Sequence, residues 1–566
     1  MTLLASVPSP ITELSRATLD WDRLLELMAE YATARVTRDW LLALSPSGDP
    51  EWSRREHRLV AEMRTLVAAG SRPALGGLFD ASQVLAKSRI AGAALEAEEL
   101  RAVLALLDDI TAWQAAVFAP ADDLSDRIAG LQELSAPLHG TQLAQLAGSL
   151  RRRVNPDGSL ADDASPDLRR IRRELERQQR VIEDSLRHAL RSLAAGSATQ
   201  DELITIRGER FVIPVKAEWK RRVAGVVHGA SSSGQTVYLE PLETIEANNE
   251  LIRLLDEEQA EIHRIFLAMT RELGAHSSAI AAGASILAQV DALQARARFA
   301  EVYHCIAPEF APPEAPELHV EAARHPLLER RLREESNAGA PGKVVPLTLA
   351  LLPDARQLII SGPNTGGKTV ALKTTGLLAM MAQAGIPVPA ERALLPVFDS
   401  FLADIGDAQS IEQNLSTFSS HIVNLNRIAT IADAQSLVLL DELGSATDPE
   451  EGAALAAAIA DYFRGQRCWC IISTHHTSLK VYAAQTPGVL NAAVGFDERT
   501  LAPTYELRLG VPGASAGINI AERLGLNSSI TTAGGGGMSP PAEESATPLP
   551  PPPPPPTPAP TADAHP

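Results

Sequence analysis

The chain has 566 residues, of which 45% are apolar and 21% charged, and this length exceeds what one hydrophobic core can organise, so several globular units are expected. No segment approaches the roughly 20 apolar residues of a membrane-spanning helix, which argues against a transporter, and the net charge of −19 restricts nucleic-acid binding to a locally basic surface. Three cysteines are too few for a disulfide framework, which predicts a reduced, cytoplasmic compartment.

Residues 1–165 carry the pattern of a helical bundle. Leucine and alanine recur there at three- and four-residue spacings, as in WDRLLELMAEYATARVTRDWLLAL. This spacing is the period of helices that bury one face against their neighbours. We therefore predict a mainly α-helical core over this range, to which residues 276–335 return before leading, as a linker, into the next unit.

Two long amphipathic helices are predicted within residues 166–275. The first has Ser165 as its N-cap, Pro166 in its first turn and Gly196 just past its end, and these residue types favour those positions. The second runs from about residue 241 to 274. Apolar residues on the two helices recur at spacings typical of helices that pair lengthwise. The pattern thus predicts a long antiparallel helical arm.

The two helices are separated by a segment of different composition, about residues 201–240. LITIRGERFVIPV and VAGVVHGASSSGQTVYLE predict two β-hairpins with glycine-bearing turns, and so a small β tip on the arm. The basic residues of this tip outnumber its acids, and they are Arg207, Arg210, Lys216, Lys220, Arg221 and Arg222. Their position favours contact with a phosphate backbone without base reading. The arginines at 169–173 fit a solvated helix face better, because nearby glutamates partly neutralise them.

From residue 336 to 530, short β-rich runs alternate with helical stretches. The runs are Leu358–Ser361, Ser436–Leu440 and Cys470–Ser473. This alternation predicts a mostly parallel sheet that is covered by helices. Residues 531–566 are rich in glycine and proline, cannot bury a core and are predicted to form a disordered tail.

The first of these runs leads into a phosphate-binding pattern. Gly362, Gly367, Lys368 and Thr369 fit G-x-x-x-x-G-K-S/T between an apolar strand and a helix, the setting that the pattern requires. The loop consists of Gly362, Pro363, Asn364, Thr365, Gly366, Gly367, Lys368 and Thr369. In such loops backbone amides wrap the phosphates of ATP, the lysine reaches the β- and γ-phosphates and the hydroxyl binds Mg²⁺. The alternative is a tight glycine turn, but the strand and helix favour the nucleotide site.

An acidic strand end follows in SLVLLDELGSATDPEEG. The apolar run places Asp441 at the carboxyl edge of the sheet, beside Thr369, where a carboxylate can hold Mg²⁺. Glu442, one residue later, is positioned to orient and deprotonate the attacking water. The alternative is a buried strand that ends in two solvated acids, which the phosphate loop makes the weaker interpretation.

Two further residues are candidates for the same edge. His475 in IISTHHTSLK follows another strand and is a candidate sensor of the γ-phosphate, although a lone histidine is usually structural. Ser416 in STFSSHI stands at a predicted helix start, where its hydroxyl and the helix dipole favour negative charge. A simple helix cap is the alternative for Ser416. Both roles depend on the whole set of residues coming together.

Taken together, these motifs resemble the MutS family of DNA-repair ATPases. GPNTGGKT, DIGDAQSIEQNLSTFSSHI, DELGSATDPEEGAAL and STHH follow that family's order and spacing, and ARHPLL resembles the short motif that precedes its ATPase domain. With ITIRGERFVIPVKAEW, the resemblance covers about residues 10–530 and is closest to the second bacterial, recombination-suppressing subfamily. It implies an ABC-type α/β P-loop ATPase domain C-terminal to the helical core, with an arm whose β clamp closes on nucleic acid.

The resemblance also implies a homodimer that pairs through the ATPase domains. Ser416 of one protomer would face the ATP of the other, and Gln409 would help to place Mg²⁺ or water. The implied catalytic set is Glu442, Lys368, His475 and Ser416, with ATP and Mg²⁺ as cofactors and Thr369 and Asp441 as metal ligands.

Two departures from the family pattern are expected to matter. The mismatch-reading domain with its Phe-x-Glu wedge has no counterpart, since no phenylalanine precedes Phe79. The resemblance stops near Ile530, where members of the subfamily continue to a C-terminal Smr nuclease domain. We therefore expect neither mismatch reading nor nuclease activity from this sequence.

These inferences predict an ATP hydrolase that, as a homodimer, clamps branched or structured DNA and suppresses homologous recombination. The first alternative is an ATPase that binds ribosomal RNA and acts on stalled ribosomes, because the same subfamily is linked to collided ribosomes. The second is a non-catalytic nucleic-acid scaffold, against which the intact pair Asp441 and Glu442 argues. The expected location is the bacterial cytoplasm, with nucleoid or ribosome association and no membrane partner.

Overall fold

The computed structural model describes residues 13–120, 124–194, 204–337, 344–363, 366–406, 417–445, 447–496 and 503–511. Within these ranges the chain is mixed α/β, as predicted. The helices are α1 Glu13–Thr18, α2 Trp21–Ala29, α3 Arg35–Leu42, α4 Pro50–Ala68, α5 Ser82–Ser88, α6 Ala97–Phe118, α7 Ala129–Leu134, α8 Leu143–Arg151, α9 Pro166–Ala194, α10 Ile245–Ala275, α11 Ser277–Val302, α12 Pro326–Asn337, α13 Lys368–Gln383, α14 Thr417–Ile431, α15 Pro449–Gly465 and α16 Thr477–Gln485. The strands are β1 Thr205–Arg207, β2 Arg210–Lys216, β3 Gly225–Ala230, β4 Thr236–Pro241, β5 Glu309–Phe310, β6 Leu318–Ala323, β7 Leu347–Leu351, β8 Gln357–Ser361, β9 Arg392–Leu395, β10 Ser400–Asp404, β11 Ser436–Leu440, β12 Trp469–Thr474, β13 Val489–Phe496 and β14 Pro503–Leu509.

The helical core is built around α11, which packs against α2, α3, α4 and α6. Its apolar residues are mostly buried, and Trp113 of α6 is buried with its Nε1–H donating to Ser135 Oγ at 2.9 Å. Full burial of one such large apolar side chain contributes about 1.5–3 kcal/mol. Among the described residues, no single helix is long and apolar enough to cross a membrane, and the segments Leu242–Ala275 and Ser277–Val302 meet that criterion only jointly, across a bend of 67°.

Helices α9 and α10 pack against each other in antiparallel orientation. Ser165 Oγ donates to Glu261 at 2.6 Å near one end of the pair, and Gln178 donates to the Ala247 carbonyl at 2.9 Å further along. The N-cap prediction is confirmed, because Ser165 Oγ accepts from the Leu168 amide at 3.0 Å. Two arginines of the 169–173 cluster form ion pairs across the helices, Arg170 with Glu257 and Arg172 with Glu258.

The segment between α9 and α10 forms a four-stranded antiparallel sheet in the order β1-β2-β4-β3. The two predicted hairpins are therefore confirmed as β1–β2 and β3–β4. Alternate residues of β2, Phe211, Ile213 and Val215, are buried together with Leu251 of α10 and Ile171 of α9. This shared cluster fastens the sheet to the helix pair.

The six-stranded sheet has the order β10-β11-β12-β8-β13-β14. All neighbouring pairs are parallel except β13–β14, so the predicted mostly parallel sheet is confirmed, with an antiparallel edge that the sequence pattern did not predict. Strands β8, β11 and β12 are buried along their whole length, because helices cover both faces.

A second mixed sheet has the order β5-β9-β6-β7. Strand β6 pairs antiparallel with both β7 and β9, and β5 pairs parallel with β9. Strands β5 and β6 lie in the range 276–335 that was predicted to be core and linker, so hydrogen bonding crosses the predicted boundary at 336. Strands of two and six residues carry too little alternation to be recognised, which is why the sequence pattern missed them.

The C-terminal end of α13 is fastened to the helical core. Gln383 is fully buried, and its side-chain amide donates to the carbonyls of Ser47 at 2.8 Å and Phe398 at 2.9 Å. Burial lowers the pKa of His57 on α4 to about 4, so the ring is neutral and its Nε2–H donates to the Ala382 carbonyl at 2.8 Å. The His57 hydrogen bond thus connects the end of α13 to α4.

Candidate nucleotide-binding site

Strands β8, β12 and β11 are parallel neighbours, so their carboxyl ends lie along one edge of the sheet. The glycine-rich loop follows β8 at this edge and leads into α13. Of the predicted loop residues, Gly362, Pro363, Gly366, Gly367, Lys368 and Thr369 are described, whereas Asn364 and Thr365 lie outside the described residues. The sheet thus brings the loop and the two other predicted strand ends together.

The glycines of the loop are required by its geometry. Gly362 has φ 135° and Gly367 φ 96°, values that side-chain-bearing residues rarely adopt. A Cβ atom added at Gly362 would lie 2.5 Å from Val494 Cγ2, and one added at Gly366 would lie 2.6 Å from the same atom. Glycine therefore lets the loop pass against Val494 in a conformation that does not fit residues with a Cβ atom.

Lys368 and Thr369, the first two residues of α13, point their polar groups to the same edge. Lys368 is 1% exposed, and its Nζ donates to the Gly362 carbonyl at 2.8 Å. Burial lowers the pKa of Lys368, while the charges of Glu442 and Asp441 act in the opposite direction. Thr369 Oγ1 donates to Asp441 Oδ2 at 2.7 Å. A hydroxyl beside a carboxylate is the donor set that holds Mg²⁺ next to a nucleotide, so the residues fit ATP with Mg²⁺.

Glu442 stands directly after the strand end that carries Asp441. Its φ of 48° is in the left-handed region, which is unusual for a glutamate. Its amide donates to Ser473 Oγ at 2.9 Å, and Ser473 Oγ in turn donates to Asp441 Oδ1. Strand β12 therefore holds both acids in place through one serine.

The comparisons with known proteins agree with this geometry. The family model for MutS domain V matches residues 358–536. The chain is 36% identical over 522 residues to Endonuclease MutS2 of Halothermothrix orenii, an alignment that covers 92% of this chain and 64% of the relative. It is 39% identical over 513 residues to Endonuclease MutS2 of Pelotomaculum thermopropionicum, with coverages of 90% and 63%.

The chain is similar to MutS-family proteins over 90% or more of its length. A third relative, Endonuclease MutS2 of Gemmatimonas aurantiaca, is 38% identical over 513 residues, which cover 90% of this chain and 61% of the relative. The alignments thus span less than two thirds of the length of these relatives.

At this site, the structure places His475 directly after β12, on the same edge as the loop. Its ring stacks on that of His476 with the centroids 4.3 Å apart. Partial burial lowers the pKa of His475, and the positive charges of His476, Lys368 and Lys480 lower it further. A neutral ring is therefore favoured at neutral pH. Ser416 and Gln409 lie outside the described residues.

Three residues at this site were not predicted from the sequence, and they are Ser473, Asp404 and Tyr505. The Asp404 carbonyl accepts from the Asp441 amide at 2.8 Å, and its carboxylate binds His421 Nδ1 at 2.7 Å. Tyr505 of β14 lies against the loop, since a Cβ added at Gly367 would be 3.0 Å from Tyr505 Cδ1. No spacing rule marks these residues, because they come from other strands of the sheet.

The basic residues predicted for nucleic-acid contact lie on the strands of the β1–β4 sheet and in the connection between β2 and β3. Lys220, Arg221 and Arg222 are exposed, as is Arg207, and Lys216 is half-buried. Arg210 differs from this group, because it forms an ion pair with the buried Glu240 at 2.7 Å and donates to Asn249. Its guanidinium is occupied within the sheet, so Arg210 has a structural role that composition alone did not indicate.

Proposed function

We propose that the chain hydrolyses ATP at the edge formed by β8, β11 and β12. The observation that carries this proposal is the Thr369–Asp441 contact of 2.7 Å at the mouth of a glycine cradle, with Glu442 as the next residue. Mg²⁺ bound there would neutralise charge on the phosphates. The loop amides and Lys368 hold the phosphate oxygens, and Glu442 orients the attacking water and accepts its proton. Neutral His475 serves as a hydrogen-bonding contact to the γ-phosphate.

The ATP-binding part of the proposal is tested with Lys368→Ala. Loss of a charge-assisted hydrogen bond to phosphate should weaken ATP binding about 10- to 100-fold. Equilibrium binding of ATP with Mg²⁺ measures the effect, and Lys87→Ala, in the helical core, is the control lysine and should bind ATP like the unchanged protein. Equal affinity of the Lys368 variant and the control would place the nucleotide elsewhere.

We further propose that two chains pair through their ATPase domains, each placing Ser416 on the ATP of the other and Gln409 near its Mg²⁺. The family resemblance supports this arrangement. Tyr505 is proposed to pack against the bound nucleotide, because it already lies against Gly367. Among the described residues, no group of three or more His, Cys, Asp or Glu side chains could hold a metal ion.

Nucleic-acid binding is proposed for the β1–β4 sheet at the end of the α9–α10 pair. Exposed lysine and arginine side chains on a small sheet suit contact with the phosphate backbone of nucleic acid. Such contacts favour branched or structured DNA over a particular base sequence. This preference is compatible with suppression of recombination. Arg207 lies over the Tyr238 ring at 4.5 Å and Arg222 over the Trp219 ring at 5.0 Å. These aromatic supports hold the guanidinium groups at the surface.

Changing Lys220, Arg221 and Arg222 to alanine should weaken binding to all DNA sequences alike and reduce the salt slope of log K by about 2 to 3. Titration of a four-way junction and a linear duplex at several salt concentrations measures both quantities. The control changes three exposed arginines outside the sheet, Arg101, Arg152 and Arg392, and should leave the slope unaltered. An unchanged slope in the first variant would move the contact away from this sheet, and tighter binding of structured ribosomal RNA than of the junction would favour the RNA alternative.

A further inference from the structure

A cavity of about 800 Å³ lies in the helical core, away from the glycine-rich loop and from the β1–β4 sheet. Its walls come from α4, α11, the segment that follows α4 and the short helical turn Ser125–Ile128. Four arginines line it, Arg64, Arg72, Arg127 and Arg298, with Glu301 as the one acidic residue of the lining. This arrangement is unexpected in a chain whose net charge is −19.

The four arginines are exposed, and their guanidinium groups form no ion pair within the described part of the chain. Within the described part of the chain, no carboxylate oxygen lies within 4.0 Å of any of them. Arg64 donates to the Cys305 carbonyl at 3.4 Å and Arg298 to the Tyr31 carbonyl at 3.5 Å, both long contacts. Four like charges around one cavity repel one another, and an anion between them would relieve that repulsion.

The cavity also has a buried polar group without a partner. Gln294 of α11 is 2% exposed, and its side-chain Oε1 has no hydrogen-bond partner among the described residues. An unsatisfied buried amide costs about 1–3 kcal/mol. The lining beside it is apolar and flat, formed by Ala61, Val67, Ala68 and Ala297. The site therefore combines a cationic side, an apolar wall and one hydrogen-bonding amide.

We propose that this cavity binds a nucleoside polyphosphate, at a site distinct from the glycine-rich loop. The volume is in the range of small-molecule sites, about 300–1,000 Å³. Guanidinium forks match phosphate oxygens bidentately, so the arginines hold the polyphosphate. The alanine wall accepts the flat face of the base, and the Gln294 amide hydrogen-bonds its edge.

The test counts bound ATP per protomer by equilibrium dialysis at fixed ionic strength, using the full chain. The unchanged protein should bind two ATP molecules per protomer, and Lys368→Ala should bind one of them with unchanged affinity and the other, at the glycine-rich loop, about 10- to 100-fold more weakly. Adding Arg64→Ala and Arg298→Ala to Lys368→Ala should weaken the remaining binding at least about tenfold, since two charge-assisted contacts are lost. Both arginines are exposed, so their removal leaves the core packing intact. An unchanged count or affinity after their removal would overturn the site, whatever happens at Lys368.

Two controls separate the site from general electrostatic attraction. Arg101→Ala with Arg152→Ala removes the same charge elsewhere on the surface and should not alter the binding, whereas an equal loss in this control would overturn the proposal. Inorganic tripolyphosphate should bind to the cavity more weakly than ATP does. Gln294→Leu, which preserves the volume of the side chain, should make the affinities of the cavity for the two probes equal. Equal binding of the two probes to the unchanged cavity would contradict the nucleoside part of the assignment.

Discussion

Replacing Glu442 with glutamine should slow ATP turnover about 10³-fold, within the range of 10² to 10⁴ typical of a lost general base. Glutamine keeps the size of the side chain and its hydrogen bonds but cannot accept the proton of the attacking water. ATP binding should persist, because Lys368, Thr369 and the loop amides are unchanged. Single-turnover hydrolysis and equilibrium ATP binding, measured on the same preparation, separate the two effects.

The control for this experiment is Glu450→Gln, which changes an exposed acid in the first turn of α15. We expect normal turnover from that variant. Should Glu442→Gln hydrolyse ATP as fast as Glu450→Gln, the water would have to be activated by another group, and the unusual φ of 48° at Glu442 would lack a functional explanation.

The second large effect is expected at the junction between α4, α11 and the end of α13. Arg296 has a side chain that is 2% exposed and pairs with Glu56 at 2.7 Å, donates to the Gly385 carbonyl at 3.1 Å and lies over the Trp40 ring at 5.7 Å. Glu56→Ala leaves this buried cation unpaired and should destabilise the protein by about 3–5 kcal/mol. The midpoint of urea unfolding, followed by circular dichroism, measures the loss.

Two comparisons make this prediction specific. Glu51→Ala breaks an exposed pair with Arg54 on the same helix and should cost less than about 1 kcal/mol. Combining Glu56→Ala with Arg296→Met removes both charges and should recover part of the stability. If Glu56→Ala cost no more than Glu51→Ala, the buried pair would not hold the junction together.

The site residues that could be predicted from the sequence are those whose position depends on neighbouring residues in the chain. A buried strand, a glycine turn and a helix start fix Gly362, Lys368 and Thr369 within a dozen residues, and Asp441 and Glu442 follow from one apolar run. The structure places all five at one edge. The N-cap Ser165 is confirmed for the same reason, since capping depends on the next three residues.

What could not be predicted depends on contacts between distant parts of the chain. Ser473 holds both Asp441 and Glu442, yet its position follows only from the pairing of β11 with β12. Arg210 was predicted to contact nucleic acid, but in the structure it pairs with the buried Glu240, which lies thirty residues later in the chain. Composition counts charges but does not show which of them already have partners.

The sheet β5-β9-β6-β7 determines where a fragment that contains the nucleotide-binding region can begin. A fragment that starts just before the glycine-rich loop would lose β5, β6 and β7. Both edges of β9 would then have unpaired backbone N–H and C=O groups, which favour aggregation. The region that contains the glycine-rich loop is thus not expected to fold independently of the preceding strands. We expect a fragment that folds by itself to begin upstream of Glu309, in the stretch that follows α11.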